Sequence, residues 1–480
     1  MALRSIIRRA SSSINTNYRI WAQEKQNDTS QFTKSHLLNS GYLRDGQIPE
    51  ALQYDHAYKL TTLSNGVRVA TEPFDNAIAT VGVMIEAGSR NETMANTGIA
   101  HFLEHLHFKG TNKRTRIQLE SEIENMGGNL NAYTSRETTL YQMQVFKNDV
   151  SRAMEIISDM LLSSKYDKTS IEIEREVILR EAQEVDADMR EMILENVHYT
   201  AYRNHIMGQP ILGHKTSIMQ INRDQLKKFI YTHYVGPRIV VLGAGPISHD
   251  QLVDIAEKNF GKVAKTTEYP FDGEDPPEFC GSSIYVRNDL DELAHMGVFY
   301  EAPSWKHEDY WPFLLLQRIM EYDPNAPINT NYPYGLYNYM NRWFGDMKDI
   351  KKQECLFIPY RDTGMFGHYA SGEFITSLIK PTIDRKQTYL EELSFEEIQR
   401  AKNKIYTELL AIEAGSDMIQ TLGCQLIYMD KKVPKTEIAS RIAAMDKKYL
   451  EATYKKWFSE GDTALAIYGP TSTIQRINEV

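Results

Sequence analysis

"ATVGVMIEAGSR", residues 79–90, and "AHMGVFYEAPSW", residues 294–305, are identical at six of twelve positions at an offset of 215 residues. Each alternates along its length, is rich in β-branched and aromatic side chains, and ends in a turn, so both predict strands. A second echo follows in the same order. "VVLGAGPIS" carries Gly245, Pro246 and Ser248, and "LAIYGPTS" carries Gly469, Pro470 and Ser472, at an offset of 224. Two echoes at similar offsets indicate duplication of a unit of roughly 220 residues.

Between the copies lies "TTEYPFDGEDPPEFCGS", residues 266–282, proline-rich, acidic and without periodicity, which reads as a linker. Around it, strands cluster with long helices, for example Ser151 to Leu162 and Thr169 to His198. That grouping is not a strict βαβ alternation, so the expected class is α+β. We expect two homologous lobes, each a mostly antiparallel sheet with helices packed on one side. The expected segments are 1–23, 24–54 (an N-terminal arm), 55–262 (first lobe), 263–281 (linker) and 282–480 (second lobe).

A length of 480 residues favours two or more domains, and 42% hydrophobic with 25% charged residues is ordinary for a globular chain. No run reaches the ~18 apolar residues needed to span a bilayer. The net charge of −10 argues against nucleic-acid binding and suits a basic ligand. Cys280, Cys355 and Cys424 are odd in number and far apart, a pattern that indicates neither a disulfide framework nor a cysteine metal knuckle. Residues 1–23 differ in kind: they hold Arg4, Arg8, Arg9 and Arg19, a serine triplet and no acid. Leu3, Ile6 and Ile7 add an apolar strip, the composition of a mitochondrial transit peptide.

The chemistry concentrates in "HFLEHLHFKG", residues 101–110. On a helix His101 and His105 share one face and can bind one ion, while Glu104 can lean over a metal-bound water as general base. The H-x-x-E-H pattern is the inverted zinc-protease signature, but alone it competes with a histidine-rich helix face. His107 lies off that face and reads as packed or solvent-facing. A third ligand needs a separate element. "IEIEREVILREAQEVDADMREMILENVH" is a strong helix candidate whose Glu174 and Glu181, two turns apart, could offer one carboxylate to a metal and another to its surroundings.

With these residues in place, the chain after about residue 55 resembles the pitrilysin-type metallopeptidases, and within them most closely the β subunits of mitochondrial processing peptidases. The landmarks "TTLSNGVRVATEP", "AGSRNET", "GIAHFLEHLHFKGT", "LNAYTSRETTLY", "VILREAQEVD" and "GQPILG" follow in the family's order. The resemblance implies zinc held by His101, His105 and Glu181, with Glu104 as base and Glu174 as an auxiliary acid. It also implies that Asn131, Ala132 and Tyr133 lie on an edge strand that pairs with extended substrate. Glu191 and Glu195 match an acidic pair that reads an arginine before the cut, with a glutamate where relatives commonly have aspartate. Further implications are a mitochondrial matrix location, basic presequences as substrate and a homologous α subunit as partner. In several lineages the same two subunits form the matrix-side core of respiratory complex III, so the resemblance implies a peptidase that also serves as a complex III core subunit, with a core scaffold of little or no proteolytic activity as the alternative. Two departures stand out. "MEYDPNAPINTNYPYGLYNYMNRWFGD" is poorer in glycine and serine than its counterparts, and the offset maps the motif onto Leu316, Ile319 and Met320 in the second half.

Overall fold

A computed structural model describes residues 47–55, 57–271, 273–321, 350–373, 390–391, 393–412, 415–458 and 461–470. The arginine-rich leader 1–23, most of the arm and the divergent segment after Glu321 lie outside the described residues. In the first half the strands are β1 (Lys59–Thr62), β2 (Arg68–Pro73), β3 (Ile78–Ile85), β4 (Asn129–Thr134), β5 (Thr139–Phe146) and β6 (Ile239–Gly245). Its longer helices are α1 (Ile99–His107), α2 (Arg116–Asn125), α3 (Val150–Ser163), α4 (Lys168–Ala187), α5 (Met189–Ala201), α6 (Arg223–His233) and α7 (His249–Phe260). The second half has β7 (Ser283–Arg287), β8 (Ala294–Glu301), β9 (Ile350–Pro359), β10 (Gly364–Gly372) and β11 (Thr463–Gly469). With them come α8 (Tyr310–Met320), α9 (Phe395–Ala411), α10 (Gly415–Tyr428), α11 (Lys435–Ala443) and α12 (Lys447–Phe458).

The strands form two sheets, ordered β1-β2-β6-β3-β5-β4 and β7-β11-β8-β10-β9. The class is α+β with two lobes. The sequence echoes occupy the same place in each sheet. β6 runs antiparallel to β3 and parallel to β2, and β11 runs antiparallel to β8 and parallel to β7. Gly245 and Gly469 end these strands at φ of 105° and 115°, the left-handed region that glycine enters without strain. A Cβ would lie 2.8 Å from the Ile78 carbonyl oxygen at the first position and 2.6 Å from that of Leu293 at the second.

Strand alternation splits the first sheet's residues between two cores. Val81, Val83 and Ile85 face α3 and α7, where Ile156, Ile157, Met160 and Leu252 are buried. Met84, with Leu140, Val240 and Leu242, faces the other way onto Met418, Ile419, Leu422 and Leu426 of α10. That helix belongs to the second half of the chain. The exchange is reciprocal, because α5 of the first half lays Ile193, Val197 and Ala201 against Phe299, Met365, Ala464 and Ala466 of the second sheet. Two shared glycines of the repeat make room. A Cβ on Gly82 would stand 2.9 Å from the Ile419 side chain, and one on Gly297 would stand 2.6 Å from that of Val197.

The helix expected over Thr169 to His198 is two helices. Asp188, at φ −82° and ψ 101°, leaves the helical region and its carboxylate accepts from the Arg190 and Glu191 N–H groups, capping α5. This break lets α4 stay over the first sheet while α5 turns to the second. The N-terminal arm also crosses over: Ile48 and Leu52 sit in the second lobe's core with Ile398 and Ile438. In α8, Leu316, Ile319 and Met320 are buried there too, apolar where α1 carries its histidines and glutamate.

Candidate metal centre

The helix bearing the motif starts at Gly98, whose φ of 88° and lack of a side chain leave α1 without a cap of its own. Glu92 supplies one from the preceding turn, its carboxylate accepting from the N–H groups of Gly98 at 2.7 Å and Ala100 at 2.9 Å. Burial raises the Glu92 pKa to about 8 against the pull of these backbone donors. The helix C-terminus turns at Gly110, φ 109°. On α4, the Asp167 carboxylate accepts from the Ser170 N–H at 3.0 Å, and Ile171, Glu174, Arg175 and Ile178 form the buried stripe. That periodicity carries Glu181, seven residues beyond Glu174, to the same side two turns later.

The two helices bring the predicted donors together. Ligand atoms of His101, His105 and Glu181 all lie within 4.8 Å of one another, and no other such trio occurs among the described residues. Nε2 of His101 is 3.6 Å, and Nε2 of His105 3.3 Å, from the Glu181 carboxylate. The rings stand edge-on, with centroids 4.7 Å apart. Burial opposes a charged His105 ring, yet Glu174 and Glu181 overcome it and raise its pKa to about 9. The two rings close to its oxygens hold the Glu181 carboxyl well below the usual range. The cluster therefore favours positive charge at its centre, and Nδ1 of His101 is buried without a hydrogen-bond partner. Two imidazoles and a carboxylate that gather around one point and attract a cation suit a divalent metal.

Around the trio the structure adds groups that the motif does not announce. Glu174 accepts from Nδ1 of His105 at 3.2 Å and pairs with the Lys109 ammonium at 2.9 Å. Burial works against its ionisation, but these two partners hold the Glu174 carboxyl below the usual range. Thr134 Oγ1 donates to Oε2 of Glu104 at 2.6 Å. Lys109 stands four residues after His105, a spacing that could have flagged it; nothing in the sequence singled out Thr134. His107 is fully buried, bonded through both ring nitrogens to the hydroxyls of Tyr141 and Tyr166 at 2.7 Å each. Burial lowers its pKa to about 3, so it is a neutral packing residue outside the cluster.

Asn131, Ala132 and Tyr133 lie on β4, which among the described residues ends the sheet and pairs only with β5. Tyr133 turns its ring from the cluster toward α10, where its hydroxyl meets Gln420 and Cys424, so what it offers on the open edge is backbone. A cavity of about 850 Å³ opens beside His101 and is lined by Thr134, Glu181, Glu191, Glu195 and Tyr199 among others. Both acids of the pair reach it, and both already have partners in the chain. Glu195 accepts from the buried Arg136 at 2.7 Å, and Glu191 accepts from Arg190 at 2.5 Å.

Comparison with known proteins settles the lineage. Residues 68–215 match the model of the insulinase family, peptidase family M16, and residues 220–405 match the M16 inactive domain. The chain belongs to the M16 peptidase family. It is a metallopeptidase, a hydrolase of peptide bonds, and the family implies a divalent metal. The mitochondrial-processing peptidase subunit beta of Bos taurus is 36% identical over 426 residues, covering 88% of this chain and 86% of the bovine one. The subunit of the same name from Lentinula edodes is 35% identical, covering 86% of this M16 chain and 90% of its own. A protease from Helicobacter pylori, solved by crystallography, shares the fold with a TM-score of 0.76 at 20% identity, over 86% of this chain and 99% of that one. No helix among the described residues is long and apolar enough to cross a membrane.

Proposed function

We propose that this chain is the catalytic, β-type subunit of a zinc endopeptidase that removes basic N-terminal presequences from proteins entering the mitochondrial matrix. The observation that carries the reading is the convergence of His101, His105 and Glu181 within 4.8 Å, with Glu104 next in sequence to His105 and bonded to Thr134 of β4, the edge strand of its sheet among the described residues. The names of its relatives, the arginine-rich leader at 1–23 and the net charge of −10 support the substrate and the location. His101, His105 and Glu181 would hold zinc, with Glu174 fixing the orientation of His105 and Lys109 fixing that of Glu174. When bound, zinc supplies Lewis acidity toward the scissile carbonyl and toward water.

The chain's own residues do the rest. Substrate lies along β4 as an added strand, held through backbone groups of Asn131, Ala132 and Tyr133. Glu104 takes a proton from the attacking water and returns it to the leaving amine. Glu191 and Glu195 both line the cavity; Glu195 is engaged by the buried Arg136, and the more exposed Glu191 favours a guanidinium there. The lobe at 55–262 carries the chemistry and supplies the described wall of this cavity, and the lobe at 282–480 together with a homologous α-type subunit would enclose the substrate chamber around it.

The test is cleavage of a fluorogenic presequence peptide by the native assembly containing this chain, with chelator and after zinc is restored. Chelator-sensitive, zinc-restored cutting near an arginine is the expected result. No cutting by an intact assembly would overturn the proposal in favour of a scaffold such as a complex III core subunit.

A further inference from the structure

The hydroxyl of Thr134 is the hydrogen-bond donor to Glu104, and its place in the fold gives that contact a use. Thr134 is the last residue of β4, the edge strand of its sheet among the described residues, and it lines the cavity beside His101. Its Oγ1 holds Oε2 of Glu104 at 2.6 Å, and Oε1 has no hydrogen-bond partner among the described residues. A glutamate side chain has three rotatable bonds, so an unheld carboxylate samples several positions. A base held by one oxygen keeps the other for the proton it must take.

The backbone that carries the hydroxyl is itself fixed. Ser135 closes the β4–β5 turn, its N–H donating to the Thr138 carbonyl at 2.8 Å and its Oγ accepting from the Thr138 N–H at 2.9 Å. Arg136 is buried, donating to the Met207 carbonyl at 3.0 Å and to Glu195 at 2.7 Å. Glu137 pairs with Arg90 at 2.7 Å and accepts from the Arg361 N–H of the second lobe. Three consecutive residues after Thr134 are thus tied to the turn itself, to the cavity wall and to the other lobe.

We infer that Thr134 is a positioning residue that sets the orientation of Glu104 from the same strand that receives the substrate. This rests on the reading of Glu104 as general base. A peptide pairing with β4 and the base that serves its cleavage are then referenced to one rigid strand, so docking in register places the scissile bond relative to Oε1. Near-attack geometry is where such registration acts, so the effect falls on turnover rather than on substrate capture.

The experiment compares Thr134→Val and Thr134→Ser with the wild-type assembly, measuring kcat, KM and metal content per chain on one presequence peptide. Valine keeps the β-branched shape that suits a strand and removes only the donor. The expected result is a kcat about 10-fold lower for Thr134→Val, the scale of one hydrogen bond to a charged group. KM should stay within about twofold, metal content should not change, and Thr134→Ser should recover most of the turnover. Wild-type kcat in Thr134→Val would overturn the inference, as would a loss that appears as missing metal or is not recovered by serine. A wild-type assembly that holds metal but does not cut would instead bring down the peptidase reading, and this inference with it.

Discussion

The two acids expected to read a substrate arginine separate cleanly in the structure, and their alanine variants should separate with them. Arg136 has 6% of its side chain exposed and its charge partner is Glu195, itself 28% exposed. Glu195→Ala leaves that guanidinium without its charge partner, held only by neutral groups of Met207 and Tyr360, and breaking a buried pair from one side costs about 3–5 kcal/mol. Partial exposure of Glu195 reduces this to about 2–3 kcal/mol. At roughly 2–4 °C per kcal/mol for lobes of this size, the melting temperature should fall by roughly 4–12 °C. Glu191 is different: 48% exposed, it pairs with its neighbour Arg190 on the surface, a contact of about 0–1 kcal/mol. Glu191→Ala should therefore melt within about 2 °C of wild type, yet lose roughly 10-fold in kcat/KM on a peptide with arginine before the cut. On the same peptide with norleucine in place of arginine, wild type and Glu191→Ala should be equal. Scanning fluorimetry and initial rates on the two peptides decide it. The reasoning fails if Glu195→Ala melts like wild type and it alone erases the preference for arginine.

Glu104→Gln should keep its metal, measured by atomic absorption, and lose roughly 10²–10⁴-fold in turnover, whereas His101→Leu should lose both. Lys109→Met removes the ammonium from Glu174 and should weaken metal affinity by about 10-fold in competition with a fluorescent chelator. Glu92 gives a pH signature: its pKa stands near 8 in the folded chain and near 4.5 when unfolded, so between those values the folded state holds the extra proton. Stability should then fall as pH rises through that window, by at most about 1.4 kcal/mol per unit, and Glu92→Gln should flatten the slope in chemical denaturation at pH 5, 6.5 and 8.

Much of this is legible in the amino-acid sequence, and the physical reason is local spacing. His101 and His105 share a face because helices repeat every 3.6 residues, and Glu174 and Glu181 do so for the same reason. The two echoes placed matching strands because Gly82 and Gly297, like Gly245 and Gly469, answer the same steric demand twice. What escaped depends on contacts between distant segments. The stripe of Ile193, Val197 and Ala201 looks like a continuation of the preceding helix, and only the acceptor sheet shows why Asp188 must break it. Thr134 and Lys109 are ordinary residues until Glu104 and Glu174 are folded against them.

The exchange of α5 and α10 also constrains how the chain can be made. When α5 leaves the ribosome, the strands that will cover Ile193 and Val197 have not been synthesised, and the first sheet's Met84 and Leu242 await a helix that begins only at Gly415. At roughly 5–20 residues per second the interval runs to tens of seconds, in which two apolar surfaces of the nascent first half stand uncovered. A chain built this way should lean on chaperones during synthesis. Its halves, expressed separately, should associate with each other in preference to remaining soluble alone.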